Sequence, residues 1–443
     1  MTTPIVDFVR GYADRTVARF HMPGHKGKPF LGCEASDITE VAGADVLYAP
    51  DGIIAESEAN ATALFGSAHT FYSAEGSTLC IKAMLALACR GRGDRPLILA
   101  ARNAHKALIY AAAMLDLRIR WLDPESGVHL CRCDVTPADV RAALSEMEEA
   151  PAAVYLTSPD YLGNLSDIRG IADVCCEAGI PLLVDNAHGA YLKFLPESLH
   201  PLDLGASMCC DSAHKTLPVL TGGAYLHVAK GAEEYLSEAR ETLSLFASTS
   251  PSYLILQSLD LCNRYLTDGY AERLAARVAE IGSLRTALLA HGLHAEQSEP
   301  LKLTLQPRSF GYTGDGLSDL LRKAGIECEF SDADALVLMI TPENTADELS
   351  TLTDALLSLS ARPALFEDGG VRFCGAPVSD GIRRAMLAPR RRVSVRDAEG
   401  LVCATPAVSC PPAVPIAVSG DVITKEQISL FLHYGIHEID VVK

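Results

Sequence analysis

Short apolar runs alternate with amphipathic stretches between about residues 65 and 230. The runs at 97–101, 152–157, 181–185, 207–211 and 222–228 have strand length and are rich in Val, Leu, Ile and Ala, as strands buried on both faces are. Between them, 79–90, 136–149 and 167–178 read as amphipathic helices. The alternation predicts an α/β protein whose parallel sheet is covered on both faces. In such sheets ligands bind beyond the carboxyl ends of the strands. A long helical stretch follows over 253–293. Then runs at 301–305, 328–330 and 335–340, with helices at 315–324 and 345–358, predict a second, smaller α/β unit. The tail, 366–443, carries Pro406, Pro411, Pro412 and Pro415 and reads as irregular, ending in a short helix and a strand. The expected organisation is an N-terminal arm (1–50), a large domain (51–299) and a smaller C-terminal domain (300–443).

Composition narrows the function classes. The chain has 443 residues, 49% hydrophobic and 21% charged, which is globular usage rather than disorder. Lys and Arg total 38 against 56 Asp and Glu, a net charge of −18. That balance speaks against a nucleic-acid partner, which needs clustered basic residues, and weakly favours a cationic small molecule. The one dense basic run, Arg383-Arg384 and Arg390-Arg391-Arg392, is broken by apolar residues and reads as a solvated face or a subunit contact. The 14 Cys are scattered without ligand spacing, and Pro23 and Gly24 keep His21 and His25 from sharing a helix face as zinc ligands do, so no metal is expected. The start, MTTPIVDFVRGYADR, lacks the apolar core of a signal peptide, and no apolar run reaches membrane-spanning length. The expectation is a reduced, cytoplasmic protein without a membrane partner.

Polar residues gather where the apolar runs end. One run ends in Asp185-Asn186-Ala187-His188-Gly189, another in Asp211-Ser212-Ala213-His214-Lys215. A carboxylate at one strand end and a Lys at another suit pyridoxal phosphate. That cofactor needs an amine for its Schiff base and a carboxylate to keep its ring nitrogen protonated. Its phosphate needs hydroxyls and free N–H groups at a helix N-terminus, and Gly76-Ser77-Thr78 supplies both just before the helical run at 79–90. Taken singly, these residues read as a loop carboxylate, an N-cap and an unremarkable His-Lys pair; their order along an alternating chain is what carries the reading.

In that order the chain resembles the bacterial ornithine/lysine/arginine decarboxylases. The resemblance rests on HMPGHKG (21–27), LYAPDGII (47–54), GST (76–78), ARNAHKAL (101–108), TSPDYLGNLSDI (157–168), VDNAHGAY (184–191), SAHKTLPVLTGG (212–223) and SPSYLILQSLD (250–260), with a weaker match through APRRR to CPPAVPIAVSGDVI (410–423). It implies the pyridoxal-phosphate-dependent type I fold of aspartate aminotransferase and decarboxylation of a basic amino acid to its amine, in polyamine synthesis. Lys215 would bond the cofactor, Asp185 would pair with the ring nitrogen, and His105 and Ala187 would pack on its two faces. Gly76, Ser77, Thr78, Ser212 and His214 would hold the phosphate region. His188 would lie beside the reacting centre, and it or Lys215 would return the proton. The resemblance also implies a homodimer in which HMPGHKG or the segment 250–253 reaches the partner's site, and the short form of the family without the N-terminal wing domain.

Departures from the family pattern fall at the periphery. Glu75 precedes GST where a neutral residue is usual, Asp160 and Leu162 alter the S/N-P-T-Y-Y-G loop, and Cys410-Pro-Pro-Ala-Val-Pro through Ser419-Gly-Asp421 alters the C-terminal motif. They leave open a different reaction on the same cofactor, such as transamination or lyase chemistry, or a non-catalytic homologue. Asp45, Asp51, Glu75 and Asp160 are the candidate acids for the substrate's distal group, with arginine ahead of lysine as the expected substrate.

Overall fold

A computed structural model describes residues 1–15, 17–123, 130–296, 299–365, 375–379, 381–406 and 414–443. Its strands are β1 (His69–Ser73), β2 (Leu97–Ala101), β3 (Arg118–Leu122), β4 (Ala153–Thr157), β5 (Leu182–Asp185), β6 (Met208–Asp211), β7 (Ala224–Val228), β8 (Lys302–Leu305), β9 (Phe330–Ser331), β10 (Leu336–Met339), β11 (Arg390–Ser394) and β12 (Glu438–Val442). The chain folds into two compact units that interleave in sequence. One comprises Met1–Gly93, Ala152–Tyr155 and Ile168–Ala271; the other comprises Asp94–Pro151, Leu156–Asp167 and Glu272–Lys443.

In the first unit the strand order is β1-β7-β6-β5. Strands β5 and β6 are parallel, as the alternating pattern predicts. Strand β7 runs antiparallel to β6, against the expectation of a parallel strand at 222–228. The connection explains the reversal: it holds only the one-turn helix Ala213–Thr216, and a parallel return requires a full crossover, usually a helix. Strand β1 closes this edge, antiparallel to β7. All four residues of β5 and of β6 are buried, so their side chains are fixed by packing on both faces. Helix Gly76–Cys89 covers them with a face of Leu79, Ile81, Met84, Leu85 and Leu87, each at most 3% exposed.

The second unit holds the parallel pair β2–β3, the antiparallel sheet β8-β10-β9 and the antiparallel pair β11–β12. Helices Gly314–Lys323 and Ala346–Leu357 fall where the sequence pattern puts them. The long helical stretch expected over 253–293 forms two helices, Tyr253–Thr267 of the first unit and Tyr270–His291, most of which lies in the second. The break falls at Asp268-Gly269, where Gly269 takes a φ of 64°, a conformation that ends helices. The tail is more regular than its prolines suggest, with helix Ile382–Leu387 and β11 preceding the expected closing helix, Lys425–His433, and strand β12. Arg390, Arg391 and Arg392 are exposed on β11. Among the described residues no helix is long and apolar enough to cross a membrane.

Candidate active site

Strand ends of the first unit bring the predicted residues together. Asp185 closes β5 and is 1% exposed. Its Oδ1 accepts the Ala187 N–H at 3.2 Å and the Cys210 thiol at 3.7 Å, and its Oδ2 accepts the Tyr155 hydroxyl at 3.3 Å. All three donors are neutral, and among the described residues no Lys, Arg or His forms an ion pair with it. A buried carboxylate is costly without a cationic partner. Lys215 lies in the short helix Ala213–Thr216 after β6, and its Nζ is 3.0 Å from Nε2 of His188, which is 2% exposed. Ala187, between Asp185 and His188, is 7% exposed.

The expected phosphate cup lies in the same unit. Gly76 opens its helix at a φ of 70°, and a methyl group built on it would meet no atom within 4 Å, so backbone conformation rather than space selects glycine here. No side chain caps this helix end. The Gly76 N–H donates to the Gly222 carbonyl at 2.7 Å, so the N–H groups that follow it are the ones an anion at this helix end would meet. Ser77 follows, its Oγ accepting the Ser212 hydroxyl at 2.8 Å, and Thr78 is half-buried. The carboxylate of Glu75 is taken by the Ser248 N–H at 2.6 Å. His214 is tied through Nδ1 to the Gly223 carbonyl at 2.9 Å, and burial pushes its pKa down.

Behind these loops lies a buried network that sequence reasoning missed. Asp211 Oδ2 is 3.0 Å from Nε2 of His200 and 3.1 Å from Nε2 of His227, and its Oδ1 accepts the Asn186 amide at 2.7 Å. Burial opposes the Asp211 charge, but the two histidines and their hydrogen bonds outweigh it and hold its pKa well below the carboxylate range. His200, Cys209 and Asp211 could by type hold a metal. The Leu202 N–H, however, points at His200 Nδ1, which leaves the proton on Nε2 as a donor to Asp211. This is a hydrogen-bonded brace. It joins the Asn186 end of β5 to the residue preceding Ser212, so it fixes the two loops that carry Asp185 and Lys215. Gly189 is required beside it, because a methyl group there would lie 2.0 Å from Asn186 Oδ1.

Other predicted residues sort clearly. Asp45 is a loop cap: its carboxylate accepts the N–H groups of Val46, Asp51, Gly52 and Ile54. Asp51 is exposed. Met22 and Pro23 of HMPGHKG line one recess with Ser250 and Tyr253, so the two segments expected to reach a partner subunit share a surface. His105 belongs to the second unit, where it caps helix Lys106–Leu115 by accepting the Ala107 N–H at Nδ1, 3.2 Å. In that unit Asp421 is paired with buried Arg102 at 3.0 Å, and Asp160 is 3% exposed with both oxygens bonded to Asn164. Cys410–Ala413 lie outside the described residues.

Pyridoxal phosphate fits the first unit's residues. Asp185 is a buried carboxylate without a cationic partner among the described residues, a place that a protonated ring nitrogen would fill; Lys215 would be the amine; and the uncapped helix end at Gly76 would receive the phosphate.

Comparison with known proteins agrees. The family model described as Orn/Lys/Arg decarboxylase, major domain, matches residues 3–304. The arginine decarboxylase of Bacillus subtilis (strain 168) is 29% identical over 459 residues, covering 96% of this chain and 92% of its own. The uncharacterized protein YaaO of the same strain is 30% identical, covering 97% and 93%. The crystal structure of the Francisella novicida lysine decarboxylase LdcF superposes with a TM-score of 0.82 over 100% of this chain and 81% of that one, at 15% identity, which shows a shared fold. The chain belongs to the Orn/Lys/Arg decarboxylase family, pyridoxal-phosphate-dependent amino-acid decarboxylases of the type I fold.

Proposed function

We propose that this chain decarboxylates arginine, with lysine as the second substrate, and that the amine feeds polyamine synthesis. The observation that carries the reaction is the strand-end assembly of Lys215 Nζ, 3.0 Å from His188 Nε2, together with the buried Asp185. The preference for arginine is supported by the relatives that bear that name across nearly their whole length, and a chain of charge −18 favours cationic substrates.

Bound pyridoxal phosphate supplies the electron sink for loss of the substrate carboxylate. The chain's own residues do the rest. Asp185, fixed by three neutral donors, keeps a negative charge where the ring nitrogen needs one. Ser77, Thr78, Ser212, His214 and the open helix end at Gly76 hold the phosphate. Ala187 would pack on the ring, and His188, 3.0 Å from Lys215 Nζ, would orient that amine. The Lys215–His188 pair holds the proton that returns to the carbon. Residues 51–299 form the cofactor-binding portion in this reading, since Gly76, Asp185 and Lys215 all fall within it, with 1–50 as an arm and 300–443 as a C-terminal portion. The working form in this reading is a homodimer, as the sequence resemblance implies, and the N-terminal sequence without an apolar signal core supports a cytoplasmic place.

Steady-state kcat/KM for arginine, lysine and ornithine tests the substrate. We expect arginine to lead by about tenfold, the discrimination a site built for a planar, bidentate group gives over a point charge. A larger value for an amino acid with an uncharged side chain would overturn the reading.

A further inference from the structure

The second unit contains a recess of about 280 Å³ in which acceptors lie without donors. It is lined at depth by Asn103, Cys133, Val135, Thr157, Asp160 and Asn164, with Asp134 and Asp167 at the exposed rim. Asn103 is 2% and Thr157 6% exposed, yet among the described residues neither Asn103 Oδ1 nor Thr157 Oγ1 has a hydrogen-bond partner. Buried polar atoms left in this state are expensive, of the order of 1–3 kcal/mol each. Asp160 has no ion pair among the described residues. Lys302 Nζ donates to the Asp160 backbone carbonyl at 3.3 Å and is paired with Glu299 at 2.8 Å. At the rim Asp134 is paired with Arg132 at 2.6 Å.

We propose that this recess binds the cationic end, ammonium or guanidinium, of a basic amino acid or of the amine made from it. The proposal rests on the decarboxylase reading and names the group that reading leaves unplaced. Two buried acceptors without a partner, and a carboxylate bonded to the neutral Asn164 but to no cation, all among the described residues, match a multi-donor cation. The space exceeds a bare metal ion, and Cys133 and Val135 give an apolar wall for an alkyl chain. Burial pushes the Asp160 pKa up to about 6, the cost of a carboxylate whose cation is missing. Of the four acids expected near the substrate, Asp45 is consumed as a cap, Glu75 is bonded to Ser248 and Asp51 is exposed; Asp160 alone lines a recess with orphaned acceptors.

Two sources share this chemistry, and calorimetry with kinetics separates them. Agmatine and cadaverine are titrated into the holoenzyme, wild type, Asp160→Asn and Thr157→Val, and KM for arginine and lysine is measured on each. We expect Asp160→Asn to weaken amine binding roughly 10–100-fold, the loss of one charge-assisted hydrogen bond in a buried site, and Thr157→Val to weaken it less. A KM that rises in step assigns the recess to the substrate's own distal group. An unchanged KM assigns it to a separate amine site. Should Asp160→Asn not fold, Thr157→Val and the rim variant Asp134→Asn/Asp167→Asn make the same distinction. No amine binding by the wild type, or unchanged binding and KM in the variants, overturns the proposal. Binding needs no turnover, so a chain that holds agmatine here but decarboxylates nothing would sink the reaction and leave the recess standing.

Discussion

The strand ends of the first unit and the recess of the second handle buried charge in opposite ways. Asp211 is surrounded by three donors, and its pKa is driven down despite complete burial. Asp160 is equally buried, has only Asn164 as side-chain donor among the described residues, and its pKa is driven up to about 6. Burial acts alike on both; the count of cationic and hydrogen-bonding neighbours decides the sign. A carboxylate already satisfied builds structure, whereas one left wanting a cation is suited to receive a ligand. Asp185 combines the two: its neutral donors fix its position, and its missing cation invites the cofactor.

The sharpest way to break this contrast is at the reacting amine. Lys215→Ala should cut decarboxylation by at least about 10³-fold, as loss of a covalent catalyst does, with unchanged far-ultraviolet circular dichroism. Activity within tenfold of wild type would remove Lys215 from the chemistry. Next comes the brace. Asp211→Asn weakens the hydrogen bonds of two buried histidines to a charged acceptor and should lower unfolding stability by about 2–3 kcal/mol, the range for buried hydrogen bonds to a charged group, read as a shifted urea midpoint. A shift below about 1 kcal/mol would mean that the network is ornamental.

Asp160 sharpens the contrast through pH. Its folded pKa is raised above the ordinary 3.8 to about 6, so its contribution to stability is fully present below 3.8 and is lost as pH rises through 6. Lys302 lowers this pKa and Glu296 raises it, both less than burial does. Asp160→Asn removes the titration. The variant should therefore gain on the wild type between pH 4 and pH 7.5 by on the order of 2–3 kcal/mol. A stability difference independent of pH would show that Asp160 titrates normally. The smallest effect is expected at Arg392, whose pair with Asp440 is solvent-exposed; Arg392→Ala should leave the urea midpoint in place.

Much of this was legible in the sequence, for physical reasons that also mark where legibility stopped. Strands β2, β4, β5 and β6 are runs of mostly buried apolar residues, with Thr157, Asp185 and Asp211 only at the last positions of β4, β5 and β6, because both faces are covered. Strand β3 escaped notice because its RIRWL places Arg118 and Arg120 outward, and β1 because its first residues are His69 and Thr70. The rule that ligands bind at strand ends found Asp185 and Lys215 without a fold in hand. It could not find the brace, whose histidines lie 11 residues before and 16 residues after Asp211 on separate elements, nor Tyr155, which meets Asp185 across 30 positions. Local spacing encodes caps and turns; contacts between strands leave no mark that one chain can show. Asp160 was visible as a departure from a motif and as one of four candidate acids that the sequence could not rank, and its recess became apparent when Asn103 and Thr157 were found beside it without partners among the described residues.

The central claim, that Lys215, His188 and Asp185 make this chain a decarboxylase of basic amino acids, is tested most directly by carbon dioxide release from carboxyl-labelled arginine, lysine and ornithine. The purified chain is loaded with pyridoxal phosphate, and Lys215→Ala serves as control. The account predicts labelled carbon dioxide and the matching amine in equal amounts, greatest with arginine, and none from the Lys215→Ala protein. A cofactor-loaded enzyme that releases no carbon dioxide from any of the three, or that yields an α-keto acid instead of an amine, would contradict it.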